Sequence, residues 1–222
     1  YEIYRNEVLQ RLGQTREKLL KLCGKLSDIR KKCAKKLGKE LKQALRELNF
    51  EEVHFEILVN PCPEMPASDG YDDIEFIIST NKGEAPKPLN QVASGGELSR
   101  IMLAFKTVLA DKDDIQTLIF DEIDTGVSGR TAQKVAEKMA FIAKTHQIIC
   151  ITHLPQIAAM ADNHFLIEKN TEQQKTVTTI TTLDDKHTIC EIARLIGGAK
   201  MTEATWTAAK ELKEQANIYK EN

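Results

Sequence analysis

The chain has 222 residues, of which 41% are hydrophobic and 29% are charged, with five cysteines and a net charge of −2. This composition excludes a disordered or collagen-like chain, and the length is sufficient for one sizeable core. The apolar runs are far shorter than the roughly 18 residues of a membrane-spanning helix, so no membrane span is predicted. The first residues carry mixed charge rather than an apolar leader, so we interpret the chain as a piece of a longer protein.

The charges are unevenly distributed. Residues 1–48 contain 14 Lys and Arg against 6 Asp and Glu, a balance of +8, and the remaining residues carry −10. A basic arm joined to an acidic body favours a contact with a polyanion such as DNA on the arm. A solvated helix face is the alternative interpretation, and the sequence leaves both open.

Residues 1–48 show a coiled-coil pattern. Apolar and small side chains recur at alternating spacings of four and three, which predicts a long arm helix with one seam. A helix of this length reaches about 70 Å, so it needs a partner strand that this chain does not supply. The seam residues are Val8, Leu12, Thr15, Leu19, Leu22, Leu26, Ile29 and Cys33.

Residues 49–222 are predicted to form one α/β lobe. Alternating strands near residues 53–59 and 74–79 predict an antiparallel hairpin with a long loop. Strands and helices then alternate, which is typical of a mostly parallel sheet with flanking helices. The predicted elements are helices at 96–110, 129–145, 155–161, 187–196 and 202–219, and strands at 117–120, 147–151, 164–168 and 176–183.

Two carboxylates follow a buried strand directly. Residues 117–120 are apolar or β-branched and run into Asp121 and Glu122. Open α/β sheets bind ligands at the carboxyl ends of their strands, and a carboxylate there suits Mg²⁺ while its neighbour suits a general base. An ordinary polar strand exit is the alternative for this pair alone.

Two further features accompany the carboxylates. Ser94, Gly95 and Gly96 directly precede an apolar helix, and two glycines with a hydroxyl at a helix start can cradle a phosphate. A simple helix cap is the alternative. The strand at 147–151 leads to His153, which we expect at the same sheet edge as Asp121 and Glu122.

The ordered set resembles the ABC-type ATPase family. The strings Ser-Gly-Gly-Glu-Leu-Ser-Arg at 94–100, Phe-Asp-Glu-Ile-Asp-Thr-Gly-Val-Ser-Gly at 120–129 and Thr-His-Leu-Pro-Gln-Ile-Ala at 152–158 carry the resemblance. Together with the basic coil, they resemble the SMC-like coiled-coil branch of that family. The resemblance implies the C-terminal lobe of an ATPase head, preceded by one strand of a coiled coil.

The resemblance also implies roles for individual residues. Asp121 would help to hold Mg²⁺, Glu122 would activate water, and His153 would contact the γ-phosphate of ATP. Residues 123–129 would form the loop that crosses between two heads. The residues that would contact nucleotide held by a second, identical head are Ser94, Gly95, Gly96 and Glu97.

Two departures from the family pattern are clear. Ser128 stands where many ABC proteins carry Asp, so we assign no role to it. The phosphate-binding pattern GxxxxGK[ST] does not occur in these residues. We therefore expect the chain alone to hydrolyse no ATP, and we expect an N-terminal half of the same protein to supply the P-loop lobe and the opposing coil strand.

The resemblance implies a cytoplasmic, nucleoid-associated DNA repair ATPase whose dimerising heads couple ATP turnover to holding DNA ends in double-strand-break repair. A non-enzymatic coiled-coil scaffold that keeps the fold is the alternative, and Glu122 and His153 argue against it. A transporter nucleotide-binding subunit fits the motifs, but it does not fit the basic coil ahead of them.

Overall fold

The computed structural model describes residues 1–92, 95–112, 115–172, 175–198 and 200–221. Contacts divide the chain into two compact units. Unit 1 comprises residues 1–46 and 50–92, and unit 2 comprises residues 47–49 together with the described residues from 95 onward. The domain boundary after residue 48, inferred from the change of hydrophobic period, stays a prediction.

Unit 1 consists of a long helix and a small antiparallel sheet. Helix α1 spans Glu2–Glu47, and the strands are β1 (His54–Pro61), β2 (Asp72–Ser79) and β3 (Lys87–Pro88), hydrogen-bonded in the order β1-β2-β3. His54 pairs with Ser79 and Pro61 with Asp72, so the predicted hairpin with a long loop is confirmed.

Helix α1 presents its predicted seam to solvent. Val8, Leu12, Leu22 and Ile29 are 44%, 62%, 64% and 58% exposed. Cys23 and Ser27, buried near the middle of α1, lie off the seam, whereas Leu41 and Ala44, buried farther along, continue the seam after a four-residue insertion that follows Cys33. The buried residues of the helix are Cys23, Ser27, Leu41, Ala44 and Leu45.

Unit 2 alternates helices and strands. The first five elements are α2 (Gly95–Leu109), β4 (Thr117–Phe120), α3 (Gly129–Ala143), β5 (Gln147–Cys150) and α4 (Pro155–Met160). The last four are β6 (His164–Glu172), β7 (Lys175–Leu183), α5 (Asp185–Gly197) and α6 (Glu203–Glu221). The α/β class with a long preceding helix is confirmed.

The strand pairing differs from the predicted mostly parallel sheet. Among the described residues only β4 and β5 pair in parallel, with α3 as the crossover between them. Strands β6 and β7 are consecutive in the chain, and they pair antiparallel along their full length. Alternation along the chain does not require every strand to join one sheet, and this is why the expectation of a mostly parallel sheet was wrong.

The helices of unit 2 enclose its core. Large side chains from several elements have no exposed surface, as expected when a close-packed interior excludes water. They are Ile101, Leu103, Ile123, Val135, Ile142 and Ile192. In the described part of the chain, no helix combines the length and the apolar composition needed to cross a bilayer.

An ion pair joins α1 to β2 in unit 1. The Arg30 guanidinium donates to Asp72 Oδ2 at 3.0 Å and to the Asp69 carbonyl at 2.6 Å. The Asp72 side chain has no exposed surface, although only a thin layer of protein covers it. Burial acts to raise the pKa of Asp72, but the neighbouring Ser27 hydroxyl and the Arg30 guanidinium outweigh it, so the pKa is lowered.

We expect Arg30→Ala to lower the free energy of unfolding by about 2 kcal/mol, because it leaves the Asp72 carboxylate covered but unpaired. The folded-state pKa of Asp72 is lowered, so the contribution is fully present above the ordinary carboxyl pKa and is lost as the pH falls from there through the lowered folded-state pKa. Urea unfolding at several pH values measures this. Arg16→Ala, at an exposed position of α1, is the control and should stay within about 0.5 kcal/mol of the parent.

Candidate functional site

The ends of β4 and β5 meet at one edge of the parallel pair. Phe120 lies opposite Cys150, and the Ile151 amide donates to the Phe120 carbonyl at 3.0 Å. Asp121 and Glu122 follow β4 directly, and His153 follows β5 after two residues. The expectation that His153 shares a sheet edge with the two carboxylates is therefore confirmed.

A buried carboxylate, Asp124, connects the two strand ends. Its side chain is 5% exposed, and Oδ2 accepts hydrogen bonds from Thr152 Oγ1 at 2.7 Å and from the His153 amide at 2.9 Å. Thr152 Oγ1 in turn accepts from the Leu154 amide at 3.0 Å. Because a buried carboxylate needs such donors, the segment after β5 is fixed relative to the turn after β4.

The same carboxylate orients the His153 ring. Nδ1 of His153 lies 3.0 Å from Asp124 Oδ2, and the imidazole itself is 73% exposed. Because a carboxylate accepts and does not donate hydrogen bonds, this closeness favours the tautomer with the proton on Nδ1. The nitrogen that remains for a ligand is Nε2, on a ring whose orientation is held from the buried side.

Helix α2 is tied to the turn after β4. Ser99 Oγ donates to the Asp121 carbonyl at 2.9 Å, and Arg100 Nη1 donates to the Thr125 carbonyl at 2.8 Å. Arg100 is buried, and burial lowers its pKa while the charge of Glu97 acts in the opposite direction. These two contacts hold the amino-terminal part of α2 against residues 121–125.

One glycine at the start of α2 is required by this packing. A Cβ atom at Gly96 would lie 2.9 Å from Thr125 Cβ and 3.0 Å from the Glu122 carbonyl oxygen, and that backbone cannot easily move, so only glycine allows the helix start to approach so closely. A Cβ atom at Gly95 would lie 2.5 Å from Glu122 Oε2, the end of an exposed side chain that can turn away. Ser94, the other predicted member of this group, lies outside the described residues.

Glu122 has a strained backbone. Its φ of 55° lies in the left-handed region, which costs a non-glycine residue about 1 kcal/mol or more. The next residue, Ile123, has no exposed surface, and Asp124 is buried, so the turn is anchored directly after Glu122. The side chain of Glu122 is held at the surface by packing that opposes its backbone preference.

The sheet edge carries uncompensated negative charge. Within the described residues, no Lys or Arg forms an ion pair with Asp121 or Glu122. Burial, followed by the charges of Asp124 and Asp121, raises the pKa of Cys150 to about 12, so this thiol stays protonated at neutral pH.

This charge fits a hard cation. Asp121 Oδ1 accepts from the Glu122 amide at 2.9 Å, which orients the carboxylate, and oxygen ligands of this kind suit Mg²⁺. No cluster of three or more ligating side chains occurs among the described residues.

Sequence reasoning missed three side chains that shape this site. It treated Asp124 as one member of a loop, and it gave Ser99 and Arg100 no role. A second acidic residue three positions after Asp121, next to Ile123 in a turn, was the available signal for a buried carboxylate. No sequence signal indicated that Arg100 would turn inward.

A solved structure with a similar fold is the Smc head domain with a coiled coil and joint from Pyrococcus yayanosii. The TM-score is 0.54 and the identity 18%, over 86% of this chain and 34% of that chain. The chain therefore has the fold of part of an SMC head domain, preceded by the long helix α1. No family model matches the sequence.

Curated relatives define the family more narrowly. DNA repair protein RecN of Halalkalibacterium halodurans is 46% identical over 89% of this chain, that of Bacillus subtilis 44% over 88%, and that of Vibrio cholerae 41% over 85%. The chain belongs to the RecN family of DNA repair proteins and corresponds to their C-terminal portion. It spans about a third of their length, at 35%, 36% and 34%.

We expect Asp124→Ala to lower the free energy of unfolding by about 2 to 3 kcal/mol, because two donors lose their buried acceptor. The His153 ring should lose its preference for the tautomer with the proton on Nδ1, and ¹⁵N chemical shifts of the two ring nitrogens measure this preference. Asp184→Ala is the matched control, since Asp184 Oδ1 lies 2.7 Å from His187 Nδ1 at an exposed helix start. It should cost about 1 kcal/mol and leave His153 unchanged. An unaltered His153 ring in Asp124→Ala would show that Asp124 does not orient it.

Proposed function

We propose that the chain is the C-terminal part of an SMC-like DNA repair ATPase. In the full-length protein, dimerising heads couple ATP binding and hydrolysis to holding or tethering DNA ends in recombinational double-strand-break repair. The family of the chain supports the repair role, and the acidic sheet edge supports the nucleotide chemistry. The observation that carries the ATPase role is Glu122, an exposed carboxylate held beside Asp121 by a strained backbone.

Asp121 and Glu122, at the end of β4, have different roles in this proposal. Asp121, oriented by the Glu122 amide, would hold Mg²⁺, which supplies charge neutralisation for the phosphates of ATP when bound. Glu122 would accept the proton of the attacking water, the role for which an exposed, unpaired carboxylate is suited. Strain of this kind occurs where packing fixes a functional side chain, and a scaffold has no need of it.

His153 would contact the terminal phosphate through Nε2. Asp124 holds Nδ1 at 3.0 Å, so the ring is already oriented before a ligand arrives. Such pre-organisation contributes to catalysis because less freedom is lost as the transition state forms. In this proposal Asp124 is a positioning residue, because it acts through His153.

The start of α2 would contact nucleotide that is bound to a second head. The amides of Gly95 and Gly96 open the helix, where the helix dipole favours an anion. Ser94 would add a hydroxyl donor and Glu97 would lie in the first turn. By the family resemblance these residues contact nucleotide held mainly by the partner in a homodimer.

An exposed apolar surface supports an N-terminal half as a further partner. Ile119, Ile149 and Ile151 are 69%, 46% and 53% exposed on and beside the parallel pair β4 and β5. Parallel strands are normally covered on both faces, so these side chains need another layer. The missing phosphate-binding loop and the missing coil strand would come with that layer.

We expect Glu122→Gln, introduced into the full-length protein, to leave ATP binding intact and to lower kcat about 100-fold or more, because the general base is lost while Asp121 remains. Engaged dimers should accumulate during turnover, and light scattering measures them beside phosphate release. Glu203→Gln, at an exposed position of α6, is the matched control and should keep parental kcat. The 222-residue chain alone should show no turnover. Parental kcat in Glu122→Gln would remove Glu122 from its role and favour the scaffold.

We expect Ser94→Arg in the full-length protein to abolish the dependence of ATPase rate on protein concentration. The parent rate per molecule should rise until dimers saturate, while the variant stays low, because a bulky cation at the α2 start blocks the opposing γ-phosphate. ATP affinity should change little, since the P-loop half dominates binding. Ser68→Arg, an exposed serine in unit 1, should behave as the parent. A parental ATPase rate in Ser94→Arg would show that residues 94–97 act only as a helix cap.

A further inference from the structure

Unit 1 contains an open groove between α1 and β1. Its volume is about 760 Å³, and its floor includes Phe55, Ile57 and Val59, which alternate along β1. Six lysines of α1 line the groove, and we call it the lysine groove. These lysines are Lys31, Lys32, Lys35, Lys36, Lys39 and Lys42.

The lysine groove is strongly positive. Glu56 is the one acidic residue among its lining side chains. Among the six lysines within residues 1–92, Lys31 acts electrostatically on Asp72, which already pairs with Arg30, and Lys36 forms a pair with Glu40 at 4.0 Å, largely exposed to solvent. An exposed pair of this kind contributes little. Six like charges packed along one groove repel one another, and an external anion relieves that repulsion.

Four of the lysines, Lys31, Lys35, Lys39 and Lys42, form a row within about 80° of the helix circumference, and Lys32 and Lys36 flank it. They lie on successive turns from Lys31 to Lys42, a distance of roughly 16 Å along the helix at 1.5 Å per residue. One strand of a DNA duplex presents a phosphate about every 3.4 Å along its axis, so the row spans about five phosphates. A single nucleotide or phosphate would leave most of the row without a partner, whereas a polyanion backbone uses all of it.

The floor of the groove favours backbone contacts over base contacts. Phe55 is the single aromatic residue among the lining side chains, and it is buried at 6% exposure. Single-strand binders use exposed aromatic rings on which bases stack, and this groove offers none in its described lining. Lysine ammonium groups act as point charges toward phosphate, so contacts here position a duplex without reading its sequence.

The lysine groove leaves the coiled-coil seam accessible. At 3.6 residues per turn the row of Lys31, Lys35, Lys39 and Lys42 lies roughly 150° around the helix from Leu22, Leu26 and Ile29 of the seam, whereas Lys36 lies only about 20° from Ile29. A partner strand on the seam and a duplex on the lysine row would therefore occupy nearly opposite sides of α1. The buried residues Cys23 and Ser27 lie on a third side.

We infer that the lysine groove binds the phosphate backbone of duplex DNA, independently of sequence, at the end of the coiled-coil arm nearest β1. The inference rests on the proposed function, since it names the place where the repair ATPase contacts its DNA. The nucleotide site contributes nothing to this contact. Binding should therefore persist without ATP.

The test uses the full-length protein and a fluorescently labelled duplex several helical turns long, without ATP, over a range of salt concentrations. The variant carries Lys31→Gln, Lys35→Gln and Lys39→Gln. The control carries Lys18→Gln, Lys21→Gln and Lys25→Gln, which removes the same charge from exposed positions of the same helix outside the groove. Circular dichroism melting checks that both fold as the parent does.

The groove variant should bind the duplex at least 10-fold more weakly, and the slope of log K against log salt should fall by about 2.7, since each phosphate contact contributes about 0.9. The control should lose less than about threefold. An equal loss of duplex affinity in both variants would contradict the inference, because it would show that the overall charge of the arm, and not the groove, determines binding. Parental affinity in the groove variant would also overturn it.

Two further measurements distinguish a DNA ligand from an acidic protein, and the groove inference from the proposed ATPase function. Poly-glutamate binding that the groove substitutions abolish, with duplex binding unchanged, would assign the groove to an acidic protein and contradict the inference. ATPase activity without DNA should be parental in the groove variant, because none of its lysines lies in unit 2. A full-length protein that binds duplex through the groove but hydrolyses no ATP would contradict the proposed function alone.

Discussion

The site of unit 2 depends on one buried carboxylate, Asp124. Because a charge removed from water must be satisfied by donors, its Oδ2 gathers the Thr152 hydroxyl, the His153 amide and the His153 ring at one point. This fixes the segment after β5 against the turn after β4. Burial of Ile123 in the same turn sets the backbone of Glu122 in its strained conformation. The exposed carboxylate and the exposed imidazole thus depend on a residue that solvent hardly reaches.

The two units carry surface charge of opposite sign at their proposed binding sites. The net charge of −2 conceals a sheet edge in unit 2 where Asp121 and Glu122 lack cationic partners among the described residues, and a groove in unit 1 lined by six lysines. The first suits a cation with nucleotide phosphates, and the second suits a bare polyanion. An acidic edge repels a polyanion, so under the two proposals DNA would contact unit 1 and nucleotide would contact unit 2.

Both units expose apolar surface in ordered patterns. The seam of α1 and the isoleucines beside β4 and β5 follow the periods of a coiled coil and of a parallel sheet, which are surfaces that other elements normally cover. The chain spans about a third of the length of its curated RecN relatives. In the proposal made above, the remainder of the longer protein would cover these surfaces and supply the phosphate-binding loop.

The sequence by itself determined the long helix, the hairpin, the strand that ends at Asp121 and the placement of His153 at the same edge. These follow from periodicity and from the rule that parallel strands end together, which are local properties of the chain. Only the tertiary structure decided the role of Asp124, the inward turn of Arg100 and the pairing of β6 with β7. Burial and pairing depend on what packs against a residue from distant parts of the chain, and residue order does not contain that information directly. The lysine groove shows the same division, because the sequence supplies the charged row while the fold places β1 beside it.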